Sequence, residues 1–268
     1  RCRLVGSEMC IRDRLNVLKT DNLSFSNIKL TASTSSKEIK RFIGNAEIPF
    51  DLSSFGEVNL NTKLNGALNN LDVNQLALNT SANTQLDISG NIQNITQPNN
   101  LNYSLDINTL NTAINDLKGI VPELPEMLNS IDSIRYKGFA KGTITNFDLD
   151  GTLSTNLGSI TPNLQIDFTD NYTNASYNGS INANNFNVGK LLNDSTLGTA
   201  TFTATLEGNG LSLDTINTTT EILINSFTYR NYEYKDVKID GLLDKKKFTG
   251  DLNINDENVS INFNGKVG

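Results

Sequence analysis

Apolar or small residues recur at every second position along most of this chain, in short runs separated by turn-forming pairs. The stretch IRYKGFAKGTITNFDLDGTL shows the rule. Ile134, Tyr136, Gly138, Ala140, Gly142 and Ile144 alternate with polar residues, and so do Phe147, Leu149, Gly151 and Leu153 after a polar turn at Thr145 and Asn146. Successive side chains of a strand point to opposite faces, so a period of two describes a sheet that is apolar on one face and wet on the other.

The same reading extends in both directions. Leu23, Phe25, Ile28 and Leu30 open the series with a one-residue slip, followed by Val58, Leu60, Thr62, Leu64 and Gly66. Runs at 71–78 and 86–92 come next, the latter with Leu86 and Ile88, then Tyr103, Leu105 and Ile107. Beyond the central stretch lie Leu164, Ile166 and Phe168, the run from Tyr177 to Ala183, and Ala200, Phe202, Ala204 and Leu206. The last part gives 222–229, Val237 and Ile239, 248–254 with Leu252 and Ile254, and Val259, Ile261 and Phe263. Asn-Asn, Asn-Gly, Asp-Asn and Asp-Lys pairs between runs are hairpin turn formers. The chain is expected to be an antiparallel meander, with no sign of parallel pairing.

Three short helices interrupt the strands. One is expected at 37–43, where Ser35 and Glu38 have capping-box spacing, one near 113–121 ahead of Pro122 and Pro125, and one at Val188–Leu192. Each precedes a strand pair carrying a glycine, namely Gly66, Gly142 and Gly208. That recurrence predicts repeat units at about 35–108, 109–184 and 185–268, stacked so that neighbours share one apolar face. The fold class expected is mainly β: an elongated, repeating antiparallel sheet curled into a groove, with short interspersed helices. An ordinary β-sandwich is the competing architecture, and it does not require the repetition.

Residues 1–14, RCRLVGSEMCIRDR, have neither periodicity nor turn chemistry and resemble adapter read-through appended to a gene, so they are set aside from the fold. The rest reads as an internal piece of a longer protein. Both cysteines, Cys2 and Cys10, fall in that segment, and the chain has no histidine and no tryptophan. A disulfide framework, thiolate metal sites and histidine catalysis are thereby excluded for 15–268. The formal charge of −7 makes nucleic acid and anionic headgroup surfaces poor partners. No apolar run reaches the roughly 18 residues of a membrane helix.

Phe147-Asp148-Leu149-Asp150-Gly151-Thr152-Leu153 resembles the nucleophile motif of haloacid dehalogenase-like phosphatases. In that family one aspartate attacks phosphorus, a second serves as acid and base, and magnesium bridges them. The motif needs a buried parallel strand that delivers both carboxylates at its C-terminal end. Here Asp148 and Asp150 alternate with apolar residues and are expected on a wet face. Asp167, Asp170 and Asn171 lack the spacing of a calcium loop. No catalytic residue, metal site or cofactor is expected, and the chain is read as a non-enzyme.

The apolar face is the functional candidate. Its expected lining comprises Val58, Leu60, Leu64, Leu86, Ile88, Tyr103, Leu105, Ile107, Ile134, Tyr136, Leu164, Ile166, Phe168, Phe202, Leu206, Val237, Ile239, Leu252, Ile254, Val259, Ile261 and Phe263. Such a face suits either an acyl-chain groove or a dry core, the latter serving a surface adhesin or stalk. A resemblance bears on that choice. It is carried by Phe186-Asn187-Val188-Gly189-Lys190-Leu191-Leu192, the run from Gly208 to Asn217, Tyr234-Lys235-Asp236-Val237, Asp240-Gly241 and Phe248-Thr249-Gly250-Asp251. In these segments, over roughly 20–268, the chain resembles the translocation and assembly module (TamB) family of the AsmA-like group, in its Bacteroidota form. The resemblance implies a long β-groove in the periplasm of a Gram-negative bacterium, anchored in the inner membrane by an N-terminal helix that lies outside this sequence. It also implies a role in outer-membrane biogenesis, through phospholipid acyl chains carried along the groove and through protein translocation and assembly with an Omp85-type outer-membrane barrel. The barrel contact would lie in regions not included here.

Overall fold

The computed structural model describes residues 24–35, 38, 55–118, 126–168, 174–212 and 214–268. Fourteen strands form one antiparallel sheet in which spatial order is chain order, and the sheet does not close on itself. They are β1 (Ser24–Ser35), β2 (Glu57–Ala67), β3 (Asn70–Thr80), β4 (Gln85–Gln93), β5 (Asn102–Ala113), β6 (Ser133–Gly142) and β7 (Asn146–Thr155). The series continues with β8 (Gly158–Asp167), β9 (Ser176–Asn187), β10 (Leu197–Asn209), β11 (Asn217–Tyr229), β12 (Tyr232–Asp244), β13 (Lys247–Asn255) and β14 (Ser260–Val267). Thirteen neighbouring pairs at the usual spacing of about 4.8 Å make a sheet about 62 Å long in the hydrogen-bonding direction. The expected meander is what forms, as a single sheet rather than a two-sheet sandwich.

The short helices are α1 (Ile114–Lys118) and α2 (Val188–Leu192). The second has the bounds the sequence indicates, whereas the described part of the first covers only the middle of 113–121. Of the helix expected at 37–43, Glu38 alone is described. It is helical, and its amide donates to Ser35 Oγ at 3.3 Å, one half of the predicted capping box; the other positions lie outside the described residues.

These helical connections follow β1, β5 and β9, so four strands separate each from the next. All three join an odd strand to an even one and therefore lie along one rim of the sheet, called here the capped rim. Connections from even to odd strands make the opposite rim, the turn rim. Its described parts are turns, among them the 3₁₀ turn Pro98–Asn100. Gly66, Gly142 and Gly208 sit in β2, β6 and β10, the strands that follow the three helical connections. The register places all three in one cross-strand row, about 19 Å apart, at four strand spacings. The period of four does not reach β13, which turns into β14 through 256–259.

Local chemistry explains several details. The slip in the first strand is a bulge between Phe25 and Ile28 opposite β2, with Asn27 at φ 50°. The sequence reading begins the eighth strand at Leu164, beyond Pro162, yet β8 starts at Gly158. Pro162 pairs with Ile181 of β9, while the β7 pairing breaks at this point, so the missing N–H falls where a ladder bond is absent.

Candidate functional site: the apolar face of the sheet

Residues directly opposite in a ladder share a face, so register shows how the alternating residues assemble. One row runs through every strand: Ala32, Leu60, Leu78, Leu86, Leu110, Tyr136, Leu153, Ile160, Ala183, Phe202, Ile224, Val237, Ile254 and Ile261. Each is paired with the next, and none is polar apart from the tyrosine hydroxyl. Beside it, toward the turn rim, lies a row that includes Ile88, Ile107, Ile222, Ile239, Leu252 and Phe263. A third begins Leu64, Val73, Gly90, Leu105, Ala140, Leu149, Leu164, Gly179 and Leu206.

Every residue named from sequence, apart from Phe168 and Val259, lies in a strand on this face. Leu60, Leu86, Tyr136, Phe202, Val237, Ile254 and Ile261 belong to the first row. Ile88, Ile107, Ile239, Leu252 and Phe263 belong to the second, and Leu64, Leu105, Leu164 and Leu206 to the third. Tyr103 and Ile166 lie in the row beyond, nearest the turn rim, while Val58 and Ile134 lie toward the capped rim. Phe168 follows β8 and packs on Phe147 with ring centroids 6.0 Å apart. Val259 sits outside the strands, its N–H and carbonyl both bonded to Asp256 in the β13–β14 turn.

Burial varies along the face. Val73 is 2 % exposed and Leu71 4 %, whereas Ile261 is 43 % and Val267 58 % exposed. Between these extremes most of the rows are half-buried, including Leu60, Leu64, Phe202, Ile224, Leu252 and Phe263. Polar atoms on this side are answered from within. Thr62 Oγ1 donates to the Gln75 carbonyl at 2.9 Å, and Thr220 Oγ1 to that of Thr205 at 2.9 Å. Among the described residues no buried side-chain nitrogen or oxygen lacks a hydrogen-bond partner. Apolar contact therefore meets no unpaired donor or acceptor, which would otherwise oppose it.

Tyrosines lie over glycines on the floor of the face. Gly138 and Gly151 face each other across β6 and β7, and the Tyr136 hydroxyl occupies the space a methyl group on either would need. That hydroxyl bonds to the carbonyls of Asp150 at 2.8 Å and Phe139 at 3.1 Å. Burial, reinforced by the Asp150 carboxylate, pushes the Tyr136 hydroxyl up to about 12. Burial also raises Tyr103 and Tyr177. The Tyr177 hydroxyl pairs with Thr218 Oγ1 and reaches the Gly210 carbonyl at 3.2 Å.

A second layer covers the face locally at the capped rim. Ile131, Leu157, Ala183 and Phe186 form a buried cluster, joined by Leu128, Ile134, Ile160, Val188, Leu191 and Phe202. Here α2 and the 3₁₀ turn Glu126–Ser130 sit over the row that contains Ile160, Ala183 and Phe202. The sequence of α2 fits this seat. Asn187 caps it by accepting from the Lys190 amide at 2.8 Å, Asn193 ends it in the left-handed region at φ 54°, and Gly189 lies against the backbone of β10. A buried pair, Thr84 Oγ1 and Thr112 Oγ1 at 2.8 Å, ties α1 to β5 through Asp116 at 3.2 Å. Sequence reasoning missed Ile131 and Leu157 because each stands in a connection with no alternating neighbours to mark it.

The opposite face is a lattice of amides and carboxylates. Asn91 donates to Asn70 at 2.9 Å and to Asp72 at 3.0 Å, Asn163 to Asp150 at 3.1 Å, and Asn264 to Asp251 at 2.7 Å. The phosphatase-like motif occupies this setting. It runs along β7, flanked on both sides by antiparallel strands, with Asp148 and Asp150 exposed on the wet face. No parallel strand end gathers them, so the geometry that chemistry requires is not built here. Asp167 accepts from Asn146 Nδ2 at 2.8 Å, while Asp170 and Asn171 lie outside the described residues. No group of acids able to hold a metal occurs among the described residues, and none of the described helices is long and apolar enough to cross a membrane.

Comparison with protein-family models, with curated proteins and with solved structures finds no match. The sheet's own geometry is thus the basis for a functional reading.

Proposed function

We propose that this chain is a segment of a periplasmic scaffold for outer-membrane biogenesis, along whose apolar face phospholipid acyl chains travel. The observation that carries the proposal is the first row. A lane of apolar side chains crosses all fourteen strands with the Tyr136 hydroxyl as its one polar group, and on either side of the stretch that α2 and Glu126–Ser130 cover it offers hydrocarbon a continuous surface. Half-burial of most of its members leaves contact area for hydrocarbon, and the internal satisfaction of buried polar atoms removes the obstacle to it. In this reading the wider protein also supports translocation and assembly of outer-membrane proteins with an Omp85-type barrel. The chain contributes apolar surface rather than catalysis. A stalk or adhesin with a dry core is the second reading, favoured by the fully packed cluster around Phe186.

Native mass spectrometry of the purified chain, with lipid extraction, tests the proposal. Co-purified phospholipid is expected, and Leu60→Asp, Ile254→Asp or Phe263→Asp should reduce it severalfold while circular dichroism stays sheet-like. Leu223→Asp is the control, because Leu223 is 49 % exposed on the wet face opposite Lys238. A stable, lipid-free protein that also takes up no added phospholipid would refute the conducting face and leave the stalk.

A further inference from the structure

On the wet face, amides and carboxylates of nearby strands mostly answer one another. Asn91 with Asp72, Asn108 with Asp87, Asn163 with Asp150 and Asn264 with Asp251 all lie within 3.2 Å. Near the turn rim this lattice opens between β8 and β10. Asn146 donates to Asp167 at 2.8 Å on one side of the opening, and Asn217 to Asp244 at 3.3 Å on the other. Between them, no hydrogen bond or ion pair among the described residues engages the exposed side chains of Gln165, Ser176, Asn178, Glu207 or Asn209. Register gathers these groups into two rows. Gln165 pairs with Asn178 and Asn178 with Glu207, while Asp167 pairs with Ser176 and Ser176 with Asn209. Together they border a depression of about 450 Å³. Between the rows lies the Tyr177–Gly208 pair, with the Tyr177 hydroxyl turned to Thr218 and the Gly210 carbonyl on the other face, so the floor is backbone.

We infer that this depression is a binding site for a neutral saccharide of one or two sugar units. The lining groups discriminate among ligand classes. An anion would face Asp167 and Glu207 with no lysine or arginine in the lining, since Lys247, in the same row as Asn217, stands two strands beyond it. An ammonium ion would suit the two carboxylates but offer no acceptor to the amide N–H groups of Gln165, Asn178 and Asn209. A metal ion lacks ligands, because no group of three acids able to hold one occurs among the described residues. A hydroxyl both donates and accepts, as an amide does, so adjacent hydroxyls of a sugar can bond to both ends of one amide. Dimensions agree. The two rows lie two residues apart, about 7 Å, and β8 to β10 is about 10 Å, while small-molecule sites occupy about 300–1,000 Å³. Because the exposed lining is hydrated, each bond to the sugar replaces one to water, and affinity is expected to be about millimolar. The site is on the face opposite the apolar lane and does not depend on lipid carriage.

The test is titration of the isotope-labelled full chain with maltose, lactose and chitobiose, read from backbone and side-chain amide resonances. Saturable shifts at Gln165, Asn178 and Asn209 are expected with at least one of the three. Combining Asn178→Ala with Asn209→Ala should weaken that binding about tenfold, with circular dichroism unchanged. Asn264→Ala, on the same face but outside the depression, should leave it as it was. Glu207→Gln separates a neutral ligand from a cation. It keeps a planar hydrogen-bonding group, so disaccharide affinity should change by less than about threefold. Spermidine, the cationic probe, should not saturate at these residues. Absence of saturable shifts with all three disaccharides, or shifts that bypass Gln165, Asn178 and Asn209, would overturn the saccharide site. So would saturable binding of spermidine that Glu207→Gln abolishes.

Discussion

Tyr136→Phe isolates one buried hydroxyl on the apolar face, and its effect should fade with rising pH in a calculable way. Tyr136 is 5 % exposed, and its hydroxyl bonds to two backbone carbonyls across the Gly138–Gly151 pair. Replacing it leaves those carbonyls without that donor at nearly constant volume, a loss of about 1–1.5 kcal/mol at pH 8. The ordinary tyrosine value of 10.0 is raised to about 12 in the fold. Below pH 10 both folded and unfolded chains hold the proton, and its contribution is complete. Above it the unfolded chain ionises first, so stability is lost as pH climbs toward the folded value, by about 1.4 kcal/mol at pH 11. The phenylalanine variant lacks this loss, while Tyr103, Tyr177 and the lysines titrate alike in both proteins. Urea unfolding followed by far-ultraviolet circular dichroism is the assay, since the chain has no tryptophan. The gap between wild type and variant should shrink from about 1–1.5 kcal/mol at pH 8 to near zero at pH 11. Parallel stability curves across that interval would show that the fold does not hold this hydroxyl neutral, and would refute the reasoning.

Two further outcomes follow from the same geometry. A methyl group at Gly189 would collide with the Leu197 carbonyl, so Gly189→Ala should lift α2 from β10 at a cost of about 2–3 kcal/mol and speed hydrogen exchange at Asp194, whose amide now bonds to the Gly189 carbonyl at 2.8 Å; unchanged protection there would show that α2 is not seated as described. Asp256 accepts from the Tyr232 hydroxyl and from the amides of Asn258 and Lys235, and these bonds hold its carboxyl below the usual range. Stability from this turn is present above the ordinary carboxylate value and lost as pH falls through the lowered one. Asp256→Asn should therefore remove the acid-induced rise in exchange at Asn258 and Lys235, and a rise that persists in the variant would assign it to another group.

Much of this architecture is legible in the residues, for a local reason. Alternation fixes which side chains share a face before any partner is chosen, and turn pairs fix where the chain reverses. Hence strands, the bulge after Phe25, the Asn187-capped helix and the three spaced glycines can all be read from short windows. The lining residues named from sequence, apart from Phe168 and Val259, share a face for the same cause: each obeys the period of its own strand. Where the period is interrupted, reading fails. Pro162 conceals the start of β8 because its local preference opposes a central strand, and it is accommodated by pairing with β9 at a point where the β7 ladder is interrupted.

Pairing is the part that short windows do not contain. Alternation permits a sandwich, a barrel or a single open sheet, and only the non-local ladders select the last. The same ladders line up fourteen separate strands so that one apolar lane is unbroken from Ala32 to Ile261. They also settle the fate of the two motif aspartates, since a carboxylate's chemistry depends on the strand ends around it rather than on its neighbours in sequence. Leu157 and Ile131 show the same dependence: residues in turns become core only because α2 and its companion 3₁₀ turn fold back over the sheet. The sequence by itself determined the two faces and the places where strands end, because those follow from backbone geometry within a few residues. The tertiary structure alone decided which strands meet, which rim is capped and how far the apolar lane runs, because those depend on contacts between residues far apart in the chain.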